Sequence, residues 1–339
     1  MGGLARKATI IDDLKDEGVK PIILDSGNLF YKNPQIDPGV TETIAKINAQ
    51  VIAEAYGEIG CDAFSPGAND FAFGLKDLMK LYNKSEFDYV SCNIFHESNP
   101  KNLLFKPYKI LKRNKHRVGV IGLSSVFLSD GIIVADPVSA LDEVINEVES
   151  KSDVIVLLFN AIDQDLNRIY DRGYNIDLIV KSGKGATRSR DGGAKIPTYI
   201  AGNRGKVLYD FTLSIKNIKK KFVDIAWCEN TVKRVNDRLE KMKKGDVNVD
   251  LEKLYANDSA ALRRVLNYKK QIENADNKLS NAVNTIVFDK IELSKDVFDK
   301  PSILKIVDKG KIKIKDLVGT EIPDHKGRLP GDPHYNHGH

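Results

Sequence analysis

Asp25 and Asp70 are the carboxylates whose setting could do chemistry. Each lies where an apolar run gives way to a glycine-bearing turn, Leu24-Asp25-Ser26-Gly27-Asn28 and Ser65-Pro66-Gly67-Ala68-Asn69-Asp70-Phe71-Ala72-Phe73-Gly74. In the second, Gly67 and Gly74 bracket a small polar cluster, and Phe71 and Phe73 can plug the core beneath it. Open α/β sheets place their sites at turns of this kind, at the carboxyl ends of strands. Two carboxylates without imidazoles make only a weak site for a hard cation. Lys181, Lys184, Arg188 and Arg190, set among Gly183, Gly185, Gly192 and Gly193, could cradle an anion. The spacing is not that of a P-loop, and a basic surface loop is the plainer reading. His334, His337 and His339 could ligate a transition metal or a haem iron, against the simpler reading of a solvated tail. No Cys-x-x-Cys-His occurs, so the chain has no motif for attaching its own c-type haem.

The elements that must position these residues follow from hydrophobic period. Helices are expected over residues 4–17, 40–57, 75–82 and 137–150. Short apolar strands are expected at 21–25, 89–94, 118–123, 154–159, 176–180 and 197–202, with a half-exposed strand at 207–215. Strands separated by helices point to a layered α/β body rather than an all-α or all-β one. Beyond residue 229 the pattern becomes that of a charged helical hairpin, 232–242 and 250–277. Lysine-rich strands are then expected at 286–293 and 303–314. The expected division is 1–225 for the α/β body, 226–280 for the hairpin, 281–318 for a small β extension and 319–339 for an irregular tail.

The 339 residues suffice for a full core, and a net charge of +5 from 52 basic and 47 acidic residues is a small excess on a heavily charged chain. The basic runs at 181–190 and 216–221 are short, which argues against nucleic acid as a partner. Cys61, Cys92 and Cys228 form no disulfide framework and have no zinc spacing. No apolar run approaches the roughly 20 residues of a transmembrane helix, and no signal peptide is visible.

With the strand ends laid out, the chain resembles the calcineurin-like metallophosphoesterase superfamily in its 5'-nucleotidase branch. Gly2-Gly3-Leu4-Ala5-Arg6-Lys7-Ala8 is similar to the branch's first-helix signature, and Leu24 to Phe30 to its aspartate turn. Residues 67–74 resemble its asparagine–histidine turn, 118–124 its central strand, and Ala201-Gly202-Asn203-Arg204-Gly205-Lys206-Val207-Leu208 its last turn. The resemblance covers roughly residues 2–215 and implies an αββα sandwich carrying two metal ions. Those ions activate a water and clamp a phosphoryl group.

Carried over position by position, the resemblance puts the bridging aspartate on Asn28, the metal asparagine on Ala68 and the catalytic histidine on Asn69. A further histidine falls on Asn160, and the Gly-His-x-His turn on residues 182–185, with Gly183 and Gly185 where imidazoles are expected. The strand with the Asp-x-His pair would lie before Met1. Asp25 and Asp70 remain as the nearby carboxylates. A degenerate dimetal site is therefore expected, and with it a binding, structural or assembly role. The alternative is an active metal-dependent phosphoesterase with a non-standard divalent metal set. The resemblance further implies a periplasmic or extracellular setting beside c-type cytochromes, and the hairpin suggests a protein partner or self-assembly.

Overall fold

The computed structural model describes residues 3–183, 196–200, 202, 205–246 and 248–319. Its first part runs α1 (Gly3–Asp16), β1 (Leu24–Asp25), α2 (Val40–Ile59), β2 (Ala63–Phe64), a 3-10 turn (Ala68–Phe71), α3 (Gly74–Tyr82), β3 (Asp88–Tyr89), β4 (Ile94–His96), β5 (Asn99–Leu103), β6 (Tyr108–Arg113), β7 (His116–Ser124) and β8 (Ile132–Val134). The remainder runs α4 (Pro137–Lys151), β9 (Val154–Asn160), α5 (Asp163–Arg172), β10 (Leu178–Lys181), β11 (Thr198–Ile200), β12 (Val207–Ser214), β13 (Phe222–Asp224), α6 (Ile225–Met242), α7 (Leu251–Leu254), α8 (Ser259–Ser280), β14 (Asn284–Glu292) and α9 (Pro301–Val318).

The chain divides into two compact units, Met1–Leu208 with Glu292–His339, and Tyr209–Ile291. In sequence, the second unit is inserted between the two segments of the first. The first unit is the expected layered α/β body. Its larger sheet has the order β11-β10-β9-β7-β6. The first four strands run parallel and β6 returns antiparallel to β7. Buried on both faces, β9 is apolar from Val154 to Phe159 without alternation, as a central parallel strand must be. Its core, with Leu157, Phe159 and Ile121, packs against Leu141 and Val148 of α4 and Ile169 of α5. A second, parallel sheet has the order β1-β2-β3. Phe30, Phe64, Phe71 and Tyr89 fill the core beneath it with Leu78 of α3, Phe64 and Tyr89 meeting edge to face at 4.9 Å. The two sheets abut where Cys92 N donates to Gly122 O at 2.9 Å.

Several expectations need correction. The run 89–94 is two strands in different sheets, because β4 turns away to pair antiparallel with β5 and β8. Residues 303–314 form a helix instead of a lysine-rich strand. Ile303, Ile306, Val307, Gly310 and Ile314 fall three or four apart and are buried, and Pro301 occupies the first turn. The β extension is therefore half helix. The expected helix at 250–277 is α7 and α8, divided because the Asp258 side chain accepts from Ala261 N and starts a new helix. Helix α5 was not expected, since its sequence is largely polar and only Leu166, Ile169 and Tyr170 mark an apolar side.

In the second unit the sheet order is β12-β14-β13, and α6 and α8 pack through Val235, Leu239 and Val265, with Leu251 of α7. Among the described residues no helix is long and apolar enough to cross a membrane.

Candidate functional site

The expected site positions converge, although they come from four strand ends. After β1 the chain reverses through Gly27 (φ 101°) and Asn28 (φ 56°), and asparagine is one of the few residues that enters this region readily. Asn28 Oδ1 accepts from Asn69 N at 3.0 Å, and Asn69 Nδ2 donates to Lys32 O at 2.9 Å. From the end of β9, Asn160 Nδ2 donates to Ser182 Oγ at 2.6 Å, just past β10. Gly67 makes this approach possible: a Cβ there would collide with the Asn160 amide and lie 2.8 Å from Asn28 Oδ1. Asn28 with the Asn69 backbone, and Asn160 with Ser182, thus form two neutral hydrogen-bonded pairs whose amides meet over Gly67.

Asp70 lies beneath these pairs, 1% exposed. Its Oδ2 accepts from Asn28 N (2.7 Å) and Gly67 N (2.9 Å), and its Oδ1 from Leu29 N (2.8 Å) and Phe30 N (2.9 Å). Two carboxylate oxygens offer about four lone-pair directions, and four N–H groups take them. Burial pushes the carboxyl up to about 7, while those N–H groups pull the other way.

Asp25 is engaged elsewhere. Its Oδ1 accepts from Gly27 N at 3.0 Å and its Oδ2 from Tyr56 OH at 2.9 Å, and that hydroxyl in turn accepts from Lys7 Nζ at 2.8 Å. Burial raises the Asp25 carboxyl, with the Lys7 charge opposing, and lowers the Lys7 ammonium, with the Asp25 charge opposing. The sequence reading named Asp25 but missed Lys7 and Tyr56. Nothing in linear spacing couples residues 7, 25 and 56; packing of α1 and α2 brings them together.

Lys181, expected to hold an anion, is buried and paired with Asp163 Oδ1 at 2.8 Å. Ala68 heads the 3-10 turn, and Gly183 (φ 117°) forms an isolated bridge with Gly202. Lys184, Gly185, Arg188, Arg190, His334, His337 and His339 lie outside the described residues. Among the described residues, no three His, Cys, Asp or Glu side chains are grouped to hold a metal ion. An open groove of about 810 Å³ is walled by Pro34, Phe71 to Lys76, Met79, His96 and Leu128 to Gly131.

No family model matches the chain. A 5'-nucleotidase of Vibrio parahaemolyticus serotype O3:K6 (strain RIMD 2210633) is 32% identical over 124 residues, 36% of this chain and 21% of that protein. The chain spans about a fifth of the length of the curated relatives it matches. The calcineurin-like phosphoesterase YfkN from Bacillus subtilis superposes with a TM-score of 0.59 at 15% identity, over 92% of this chain and 89% of that one. A 5'-nucleotidase precursor from Thermus thermophilus gives 0.54 at 20% identity, over 65% and 47%. Over about a third of its length the chain is thus similar in sequence to 5'-nucleotidases, and its fold is that of calcineurin-like phosphoesterases, in agreement with the order of the strand-end motifs.

Proposed function

We propose that this is a 5'-nucleotidase-like scaffold whose dimetal chemistry has been lost, and that its strand-end cleft binds a polar ligand without cleaving it. One observation carries the reading: the four strand ends bring together Asn28, Asn69, Asn160 and Ser182, while Asp70 spends its carboxylate on four backbone N–H groups. A dimetal centre needs ligands whose negative charge and imidazole nitrogens offset two divalent ions. Neutral amides and a hydroxyl do not supply that charge, so the donor set does not fit such a centre. Amides and hydroxyls do suit a ligand rich in both donors and acceptors, such as a nucleotide or sugar phosphate. The extracytoplasmic setting and the cytochrome or protein partner belong to the same proposal and rest on resemblance.

The test is metal analysis of the purified chain together with turnover of a generic phosphomonoester in manganese. We expect no stoichiometric divalent metal and no hydrolysis above buffer. Stoichiometric metal, with turnover abolished by Asn28→Ala or Asn160→Ala in a protein that still melts cooperatively, would return the chain to the active phosphoesterases.

A further inference from the structure

Between β12 and β13 the chain reads Ile215-Lys216-Asn217-Ile218-Lys219-Lys220-Lys221, and this turn is held from within its own unit. Asn284 is 1% exposed at the start of β14. Its Oδ1 accepts from Lys216 N (2.9 Å) and Asn217 N (3.0 Å), and its Nδ2 donates to Asn217 O (2.7 Å) and Lys220 O (2.6 Å). Inside the turn, Lys219 N donates to Asn217 Oδ1 at 2.9 Å and Lys220 N to Asn217 O at 3.0 Å. A buried amide that uses both donors and both acceptor directions on one turn fixes its backbone. That backbone presents Ile218, 55% exposed, with Lys216, Lys219 and Lys220 exposed around it.

The wider charge distribution points the same way. Residues 209–291 hold 17 Lys and Arg against 12 Asp and Glu, leaving 35 of each in the rest of the chain. The whole excess of +5 therefore belongs to the unit that carries this turn.

We propose that the β12–β13 turn is a docking tip for an anionic lipid surface, with Ile218 entering the headgroup layer and Lys216, Lys219 and Lys220 binding lipid phosphates. An aliphatic side chain ringed by lysines suits the membrane interface, where apolar burial and attraction to anionic lipid add. Single-stranded nucleic acid calls for aromatic platforms, and base edges for the forks of arginine; the tip has neither. Ile215 is half-buried, so Ile218 is the one exposed apolar side chain of the turn, and alone it buries too little for a stable protein interface. The inference stands whether or not the strand-end cleft retains catalysis.

Sedimentation of the full chain with vesicles tests it, comparing phosphatidylcholine alone with an equal mixture of phosphatidylcholine and phosphatidylglycerol. Binding to the mixed vesicles only, weakening as salt rises, is expected. Lys219→Gln and Lys220→Gln should each lower partitioning about fivefold at unchanged melting temperature, and Ile218→Asp should lower it further. Asn284→Ala should weaken binding if the protein still folds; the lysine variants keep the test readable if it does not. Equal binding to both vesicle types would overturn the proposal, as would binding to neither at low salt. So would anionic binding untouched by the lysine variants, or capture of a labelled oligonucleotide in place of vesicles.

Discussion

Asp70 behaves as a clasp between two strand ends, since its oxygens gather the N–H groups of Asn28, Leu29, Phe30 and Gly67. Asp70→Asn keeps the shape but replaces one acceptor oxygen with a donor, so buried N–H groups face an N–H₂. The expected loss is about 2 kcal/mol or more in urea denaturation; unchanged stability would contradict the clasp. Asp136 offers a pH test. It caps α4 and pairs with Arg168 Nη1 at 2.7 Å, contacts that hold its carboxyl down at about 2 against an ordinary 3.8. The unfolded chain then takes up the proton more readily, so this stabilisation is present above about 4 and is lost as pH falls toward 2. The side chain is 40% exposed, so the effect is small. The stability gap between the native chain and Asp136→Asn should close over that window, and a gap that widens there would contradict the pairing. Asn28, Asn69 and Asn160 are singled out through the family resemblance, laid over strand ends that the apolar runs mark. The clasp could not be read from the sequence, because its four partners are backbone groups and carry no side-chain signal.

Element by element, legibility followed the balance between local pattern and packing. Strands β7, β9 and β10 read correctly because burial on both faces leaves an unbroken apolar run. Helix α9 did not, because Lys305, Lys309, Lys311, Lys313 and Lys315 interleave with its apolar residues and imitate a strand's alternation. Its apolar stripe packs with Ala5, Ala8 and Ile11 of α1 and Val51 and Ala55 of α2. Ile303 is fully buried there, and Ile303→Ala should cost about 2–5 kcal/mol in chemical denaturation. A surface strand would lose almost nothing. Gly122 in β7 is needed for a different reason: a Cβ would drive into the Val90 carbonyl, where the two sheets abut. A backbone oxygen cannot swing aside, so Gly122→Ala should lower the melting temperature by several degrees, on the order of 1–3 kcal/mol.

For the whole molecule the instructive feature is the nesting of residues 209–291 within the other unit. The chain leaves and re-enters that unit at neighbouring points, since Leu293 N donates to Lys206 O at 2.9 Å. Joining Leu208 to Glu292 through a short glycine linker should therefore leave a folded protein with a cooperative melt, and loss of that melt would show the nested unit to be indispensable. Composition hinted at a change of character after residue 229, but a return to the first unit at Glu292 depends on contacts made across nearly the whole chain. Helix α9 gives this arrangement a consequence in time. It packs on α1 and α2, which leave the ribosome well before it, and it emerges some 240 residues after α2 is complete. At ordinary rates of synthesis, about 5–20 residues per second, the apolar faces of Ala5, Ile11, Val51 and Ala55 wait on the order of tens of seconds for their cover. The newborn chain is then a client for chaperones that recognise exposed apolar helices, and slower translation lengthens that exposure.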